Sequence, residues 1–487
     1  MGLGRSTGAL HGGSAVGLGT VAAPPARDRL RQREQFEDYG ENDWTVATED
    51  PLATFSIDVD TASYAIARRD LNRARLPNPD GIRVEEFINV FDYGYVAPID
   101  PSVPFAVHLE ASPSHFGDGL QLLRVGIQGF ETELADRAPA NLVFLVDTSG
   151  SMRGADKMGL VQYALGTLLS SLGPDDTLSI VTYSGRAETL LPPTHVDDRE
   201  AIMEAIEGLN ARGSTNGADG IRTAYEVAQS ALIDGATNRV IWCTDGDLNV
   251  GMTGDELLEF VEDHGRRGVA LTTLGFGRGN LNDRDLERYA DRGDGNYHYI
   301  DDQNEALRVL GDELMGTLEI IARDVKIQVE VNPHIVDSYR IIGYENRDVA
   351  DADFRNDSVD AGEIGSGHNV TALLELDLND TAIITRNERL ATVRVRYEEP
   401  NEDGEGREIE QTIYTDQLGA RFEDASASLR LAAAVAEFAE VLRRGENATG
   451  AEFDEVERVV RGAHARGDLQ VEELAALVTQ AKSLWRN

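Results

Sequence analysis

Cysteine and lysine are nearly missing from this 487-residue sequence, and long apolar runs are missing altogether. The single cysteine, Cys243, excludes an intramolecular disulfide and a Cys-based zinc site. It follows Val240-Ile241-Trp242 and reads as a small buried hydrophobe in a strand. No stretch approaches the ~18 apolar residues needed to cross a bilayer, so no transmembrane segment is expected. Lysine occurs only at Lys157, Lys326 and Lys482; the other positive charges are arginine. Lys and Arg total 45 against 86 Asp and Glu, a formal charge of −41. That balance argues against a nucleic-acid partner, which needs a basic surface, and favours solubility and attraction for cations. The nine histidines are scattered, with no pair at catalytic or zinc spacing. There is no phosphate-binding loop, no Gly-x-Ser-x-Gly elbow and no histidine set as a general base. Residues 1–27 lack a basic stretch followed by an apolar core. No signal peptide is expected there, and residues 1 to about 45 read as a flexible leader.

A hydrophobic share of 41% supports several packed cores. At roughly 100–200 residues per domain, two to four are expected. Residues 53–60 alternate apolar and polar, a strand signal, and Thr61 is placed to cap a helix running to about Asn72. Asp58 and Asp60 alternate on that strand and are expected to cap the helix and face solvent. A short helix at 84–91 and two strands near 105–110 and 120–127 follow. From residue 141 the pattern changes. Residues 141–146 are continuously apolar, as in a strand buried on both faces. Met158, Val161, Leu165, Leu168, Leu169 and Leu172 then recur at helical spacing. Strand and helix alternate to residue 318, the pattern of a doubly wound α/β domain. Alternation of period two returns after residue 322, and the segment to 420 reads as a β-sandwich. Residues 401–406 are its hairpin loop. Strands before residue 130 are candidates for the same sandwich, which makes the α/β domain an insertion. From residue 421 the chain reads as helical. The expected division is a leader (1–45), an N-terminal α/β segment (46–135), a doubly wound domain (136–321), a sandwich module (322–420) and a helical region (421–487).

The chemistry concentrates in three loops. Asp147-Thr148-Ser149-Gly150-Ser151-Met152 directly follows the first buried strand of the α/β domain. Ligands of open α/β sheets bind at the carboxyl ends of strands, so this loop stands where a site belongs. It offers one carboxylate and two hydroxyls on alternate residues. Arg212-Gly213-Ser214-Thr215-Asn216-Gly217 adds a hydroxyl, and Thr244-Asp245-Gly246-Asp247 adds a carboxylate after another strand. Ser and Asp in a single loop are usually caps and turns; three loops at matching positions favour a site. Every donor is oxygen, which selects Mg²⁺, or else Ca²⁺ or Mn²⁺. Gly275-Phe276-Gly277-Arg278-Gly279 lacks the spacing of a dinucleotide loop and reads as a turn. Asp291-Arg292-Gly293-Asp294-Gly295-Asn296 lacks a full calcium loop and reads as a connection. Trp242 reads as core packing.

Asp-x-Ser-x-Ser, a distant Thr and a later Asp after an apolar strand resemble the metal-ion-dependent adhesion site of von Willebrand factor A domains. Segments such as Phe55-Ser56-Ile57-Asp58-Val59-Asp60-Thr61-Ala62-Ser63-Tyr64 and Ile342-Gly343-Tyr344-Glu345-Asn346-Arg347 resemble bacterial YfbK-type proteins. The resemblance runs from about residue 46 onward. It implies a metal centre of Asp147, Ser149, Ser151, Thr215 and Asp245. Ser149 and Ser151 coordinate directly, Thr215 does so in the ligand-bound arrangement, and Asp147 and Asp245 act mainly through water. Neutral hydroxyls offset the ion's charge poorly, so its open position favours an Asp or Glu carboxylate of a partner protein. The resemblance also implies a location in the cell envelope or outside the cell, although the export or lipoprotein signal common in the family is not visible here. Two other functions stay open: a scaffold whose site binds an acidic residue of its own chain, and a metal-dependent hydrolase.

Overall fold

Two periodicities in the sequence build the cores of this fold. The computed structural model describes residues 34–485 apart from 58, 118, 133–136, 213–216, 247–253, 279–280, 314–315, 317, 380–386, 401–405, 445–448 and 464–467. The chain begins with β1 (Thr45–Val46), β2 (Leu52–Ser56), α1 (Ala62–Leu71), α2 (Val84–Ile88), β3 (Phe105–Pro113) and β4 (Gln121–Gly129). The doubly wound part follows as β5 (Ala140–Asp147), α3 (Met158–Ser171), β6 (Thr177–Tyr183), β7 (Ala187–His195), α4 (Arg199–Gly208) and α5 (Gly217–Ser230). It continues with β8 (Thr237–Thr244), α6 (Asp255–Gly265), β9 (Ala270–Phe276), α7 (Asp283–Arg292), β10 (Tyr297–Ile300) and α8 (Gln303–Leu307). Then come β11 (Ile320–Val331), β12 (Val336–Ile342), β13 (Gly362–Gly365), β14 (Asn369–Leu378), β15 (Arg389–Glu398), β16 (Arg407–Tyr414), α9 (Ala427–Arg443), α10 (Gly450–Ala463) and α11 (Leu469–Trp485). Among the described residues no helix is long and apolar enough to cross a membrane.

The central sheet has the order β10-β9-β8-β5-β6-β7. All its pairings are parallel except that of β6 with the edge strand β7. β5 is apolar without interruption because both its faces are covered. Leu142, Phe144 and Val146 enter the core under α3, while Val143 and Leu145 enter the core under α5 and α6. Each such side chain contributes roughly 1.5–3 kcal/mol by leaving water. The strand order reverses direction between β5 and β8, whose connections leave to opposite sides of the sheet. The carboxyl ends of those two strands are the topological switch point, where open α/β sheets bind their ligands.

Strands on either side of the doubly wound domain form one β-sandwich. β2 pairs with β11, β1 with β12, and β4 with β14. Phe55 and Ile127 from before the insertion share a core with Val329, Leu374 and Val393 from after it. The helices divide similarly. Tyr64, Phe87 and Phe91 of the N-terminal segment pack with Phe438, Phe453 and Leu474 of the C-terminal helices in a separate core.

A seam of buried arginines fastens this helical core to the doubly wound domain. Arg68 pairs with Asp301 and with Glu305, the latter at 2.8 Å. Arg83 pairs with Glu86 and, at 2.6 Å, with Asp283 at the start of α7. Arg69 donates to the Tyr299 hydroxyl at 3.0 Å. The seam corrects three sequence expectations. Asp60 does not face solvent: it is buried, accepts the Tyr297 amide at 2.8 Å and pairs with Arg347. Thr61 makes no side-chain cap, because its hydroxyl accepts from Arg308. Residues 34–45 are not all loose leader either. Glu34 pairs with Arg69, the Gln35 amide donates to the Leu281 carbonyl, and Thr45 lies in β1. Asp58 and most of the 401–406 loop lie outside the described residues.

Removing one partner of a buried, hydrogen-bonded ion pair strands the other, at a cost of about 3–5 kcal/mol. Arg83→Met should therefore lower unfolding stability by about that amount, because Glu86 and Asp283 are both fully buried. Guanidinium titration of both proteins checks it; a loss under about 1 kcal/mol would show that the seam contributes little.

Candidate metal centre

Asp147 is the last residue of β5 and is fully buried. Its Oδ1 accepts the Ser149 amide at 2.7 Å, which folds the loop back over the strand end. A single 3₁₀ turn, Gly150–Met152, then brings Ser151 beside Ser149, with 2.7 Å between the two hydroxyl oxygens. Met152 anchors the turn in the core under α3.

The neighbouring strand ends brace this loop. The Thr148 amide and hydroxyl both donate to the Tyr183 carbonyl at the end of β6, at 2.8 and 3.0 Å. The Arg212 amide donates to the Thr148 carbonyl at 2.6 Å, tying the second loop to the first. Thr215 itself lies outside the described residues. Asp245 follows β8 and is fully buried. Gly246 after it has a φ of +84°, a left-handed turn that glycine adopts without strain.

Four of the five expected site residues are thus described, at the ends of the two strands that flank the switch point. Two contributors escaped the sequence. The Lys157 ammonium lies 2.7 Å from Asp245 Oδ2. Tyr183 takes a hydrogen bond from the Trp242 indole at 2.9 Å, and its hydroxyl is directed toward Asp147. Trp242 is therefore core packing with a polar task as well. Lysine's rarity was the one signal pointing to Lys157, and the end of a parallel strand was the one pointing to Tyr183.

Electrostatics at Asp147 is unusual for a carboxylate. Burial pushes its pKa up to about 7 and the Asp245 charge adds to the rise, while the Ser149 amide and hydroxyl and the Tyr183 hydroxyl oppose it. Its Oδ2 is buried with no hydrogen-bond partner among the described residues. A buried carboxylate oxygen left unpaired costs free energy unless a proton or cation meets it. Two hydroxyls and a second carboxylate share the neighbourhood, so the donors fit a hard divalent cation. Among the described residues no three His, Cys, Asp or Glu side chains gather as a metal cluster, so hydroxyls have to complete any set built here.

The family described as "von Willebrand factor type A domain" matches residues 142–247, and that described as "von Willebrand factor" matches residues 30–124. The protein is of the von Willebrand factor A class, whose domains typically mediate protein interactions. The family "Uncharacterized protein YfbK, C-terminal" matches residues 316–484. "Uncharacterized protein YfbK" of Escherichia coli (strain K12) is 36% identical over 446 residues, 87% of this chain and 76% of that one. The chain belongs to the YfbK family. Inter-alpha-trypsin inhibitor heavy chain H4 of Bos taurus is 31% identical over 132 residues, 26% of this chain and 14% of that one. Among solved structures, a von Willebrand factor type A protein from Catenulispora acidiphila aligns at a TM-score of 0.46 and 15% identity, covering 81% of this chain and 91% of that one.

The raised pKa makes a stability prediction with a definite sign. Asp147 favours its protonated form in the folded state, so its contribution is fully present below its ordinary value of 3.8 and is lost as pH rises through about 7. Asp147→Asn abolishes that loss. In a chelator, its stability advantage over the natural chain should widen between pH 5 and pH 8 by on the order of 2 kcal/mol. Denaturant titrations at the two pH values measure it, and an advantage that does not change with pH would contradict the buried charge.

Proposed function

We propose that this chain is a divalent-cation-dependent protein-binding module that uses a bound metal to grip an Asp or Glu carboxylate of a partner protein. The observation that carries it is the buried Oδ2 of Asp147, which has no hydrogen-bond partner among the described residues, beside the paired hydroxyls of Ser149 and Ser151. Ser149, Ser151 and Thr215 would hold the ion directly, with Asp147 and Asp245 acting mainly through water. Mg²⁺ is the expected ion, with Ca²⁺ or Mn²⁺ as substitutes. When bound, the ion supplies a Lewis-acidic position open to an anionic oxygen.

The chain's own residues do the rest. The Ser149 amide fixes one oxygen of Asp147 and leaves the other for the ion or its water. Thr148, through the Tyr183 carbonyl and the Arg212 amide, holds the first two loops in register. Neutral hydroxyls leave the ion's charge available to a ligand. The proposed role is binding rather than catalysis, and it includes a location in the cell envelope or outside the cell, by the family resemblance.

Titration with Mn²⁺, followed by electron paramagnetic resonance, should show one site in the natural chain. That site should be lost in Asp147→Ala and weakened at least ~10-fold in Thr215→Ala, with both variants still folded. Protein capture from an envelope extract of the source organism should need Mg²⁺ and fail in EDTA. Capture that persists in EDTA, or Mn²⁺ affinity that ignores both substitutions, would sink the proposal.

A further inference from the structure

Lys157 enters the centre from outside the recognised motif. It precedes α3, and its side chain crosses to the end of β8, where Nζ meets Asp245 Oδ2 at 2.7 Å. Its side chain is only 11% exposed and that of Asp245 is not exposed at all. The aliphatic stem passes directly over Gly277, just beyond β9. Gly277 has a φ of +71°, and a Cβ there would overlap the stem. Of the run read in the sequence as a turn, Gly275 and Phe276 end β9, Gly279 lies outside the described residues, and Gly277 is a bare-backbone passage for a lysine. The turn is itself held, since its Gly277 carbonyl accepts from the Tyr299 hydroxyl. A slim stem with a compact terminal charge fits such a passage, whereas a planar guanidinium is wider. The chain has only three lysines in a background of arginine, and one of them is here.

Resting on the metal centre proposed above, we propose that Lys157 is a built-in cation of that centre, a positioning residue that holds Asp245 and tunes the site's charge. Without a divalent ion, the ammonium keeps the two carboxylates from facing each other uncompensated. With one bound, two carboxylates and one ammonium leave the site a net positive charge. Lys157 thereby weakens the divalent ion's hold. It also keeps the loaded site attractive to an anion, which a site neutralised by its own carboxylates would not be. Like charges sharing one buried site repel, so the effect is readable in affinity.

The test uses the full chain and Mn²⁺ alone as the probe. Lys157→Met should bind Mn²⁺ on the order of tenfold more tightly than the natural chain. Mg²⁺ should also raise the variant's melting temperature more than the natural chain's. Equal or weaker Mn²⁺ binding by Lys157→Met, with the natural chain binding at an Asp147-dependent site, overturns the role of Lys157 and leaves the metal centre standing. No Asp147-dependent binding in the natural chain overturns the metal centre, and this inference with it. A second measurement does not need the variant to fold. With ¹³C-labelled lysine the natural chain gives three side-chain signals, assigned through Lys326→Arg and Lys482→Arg. Saturating Mg²⁺ should shift the Lys157 signal and leave the other two in place. A Lys157 signal that does not move overturns the proposal.

Discussion

An ionisable carboxyl stands at the end of a strand that water cannot reach, and the doubly wound domain is organised around that constraint. β5 is buried on both faces, so its last residue arrives inside the protein and not at its surface. An aliphatic side chain at position 147 would be more stable there. Asp147 keeps one oxygen satisfied by the Ser149 amide and the other, among the described residues, unsatisfied. Stability given up at one defined atom in an otherwise well-satisfied loop is the usual mark of a site kept for binding.

The flanking modules bear on that site through contacts that can be followed atom by atom. Arg69 of α1 donates to the Tyr299 hydroxyl, which donates to the Gly277 carbonyl. Gly277 underlies the stem of Lys157, and Lys157 holds Asp245. α1 is in turn packed in the core that holds the C-terminal helices. This contiguous path ties the insertion to its flanking modules. The helical core reaches the carboxyl edge of the sheet, the same edge on which the proposed partner would dock.

Periodicity made most of the architecture legible before any coordinates. The apolar run before Asp147 is buried in the cores on both faces of the sheet, and the helical spacing from Met158 to Leu172 lies in the core under α3. The suspicion that early strands join a late sandwich holds in the pairing of β2 with β11. What escaped had local causes. β7 is an exposed edge strand carrying Pro192 and Pro193, a composition that reads as loop, although prolines are tolerated where no neighbour needs the amide. β13 is four residues between glycines. Asp60 and Thr61 look like solvent-facing caps because their partners, Tyr297 and Arg308, lie more than 230 residues away. Asp147 and Asp245 of the proposed site stood out because each sits at the end of an apolar strand. Lys157 was not, because its partner lies 88 residues away and only the fold brings them together.

The donor set and the added lysine bear on one question, which is where the charge goes. A site meant to retain a divalent ion for structural purposes does best by surrounding it with carboxylates. Among the described residues two carboxylates meet here; one is satisfied at a single oxygen and the other is engaged by an ammonium. In the proposed centre hydroxyls would supply the rest, and hydroxyls neutralise nothing. Such an arrangement is poor at retaining an ion by itself and well suited to one that is completed by an incoming anion. Ion and ligand affinity should then rise together, because each supplies charge that the other lacks. In the proposed centre the buried, half-satisfied Asp147 and the tethered Lys157 would be two expressions of that design: both would hold it short of electrostatic balance until a partner's carboxylate supplied it.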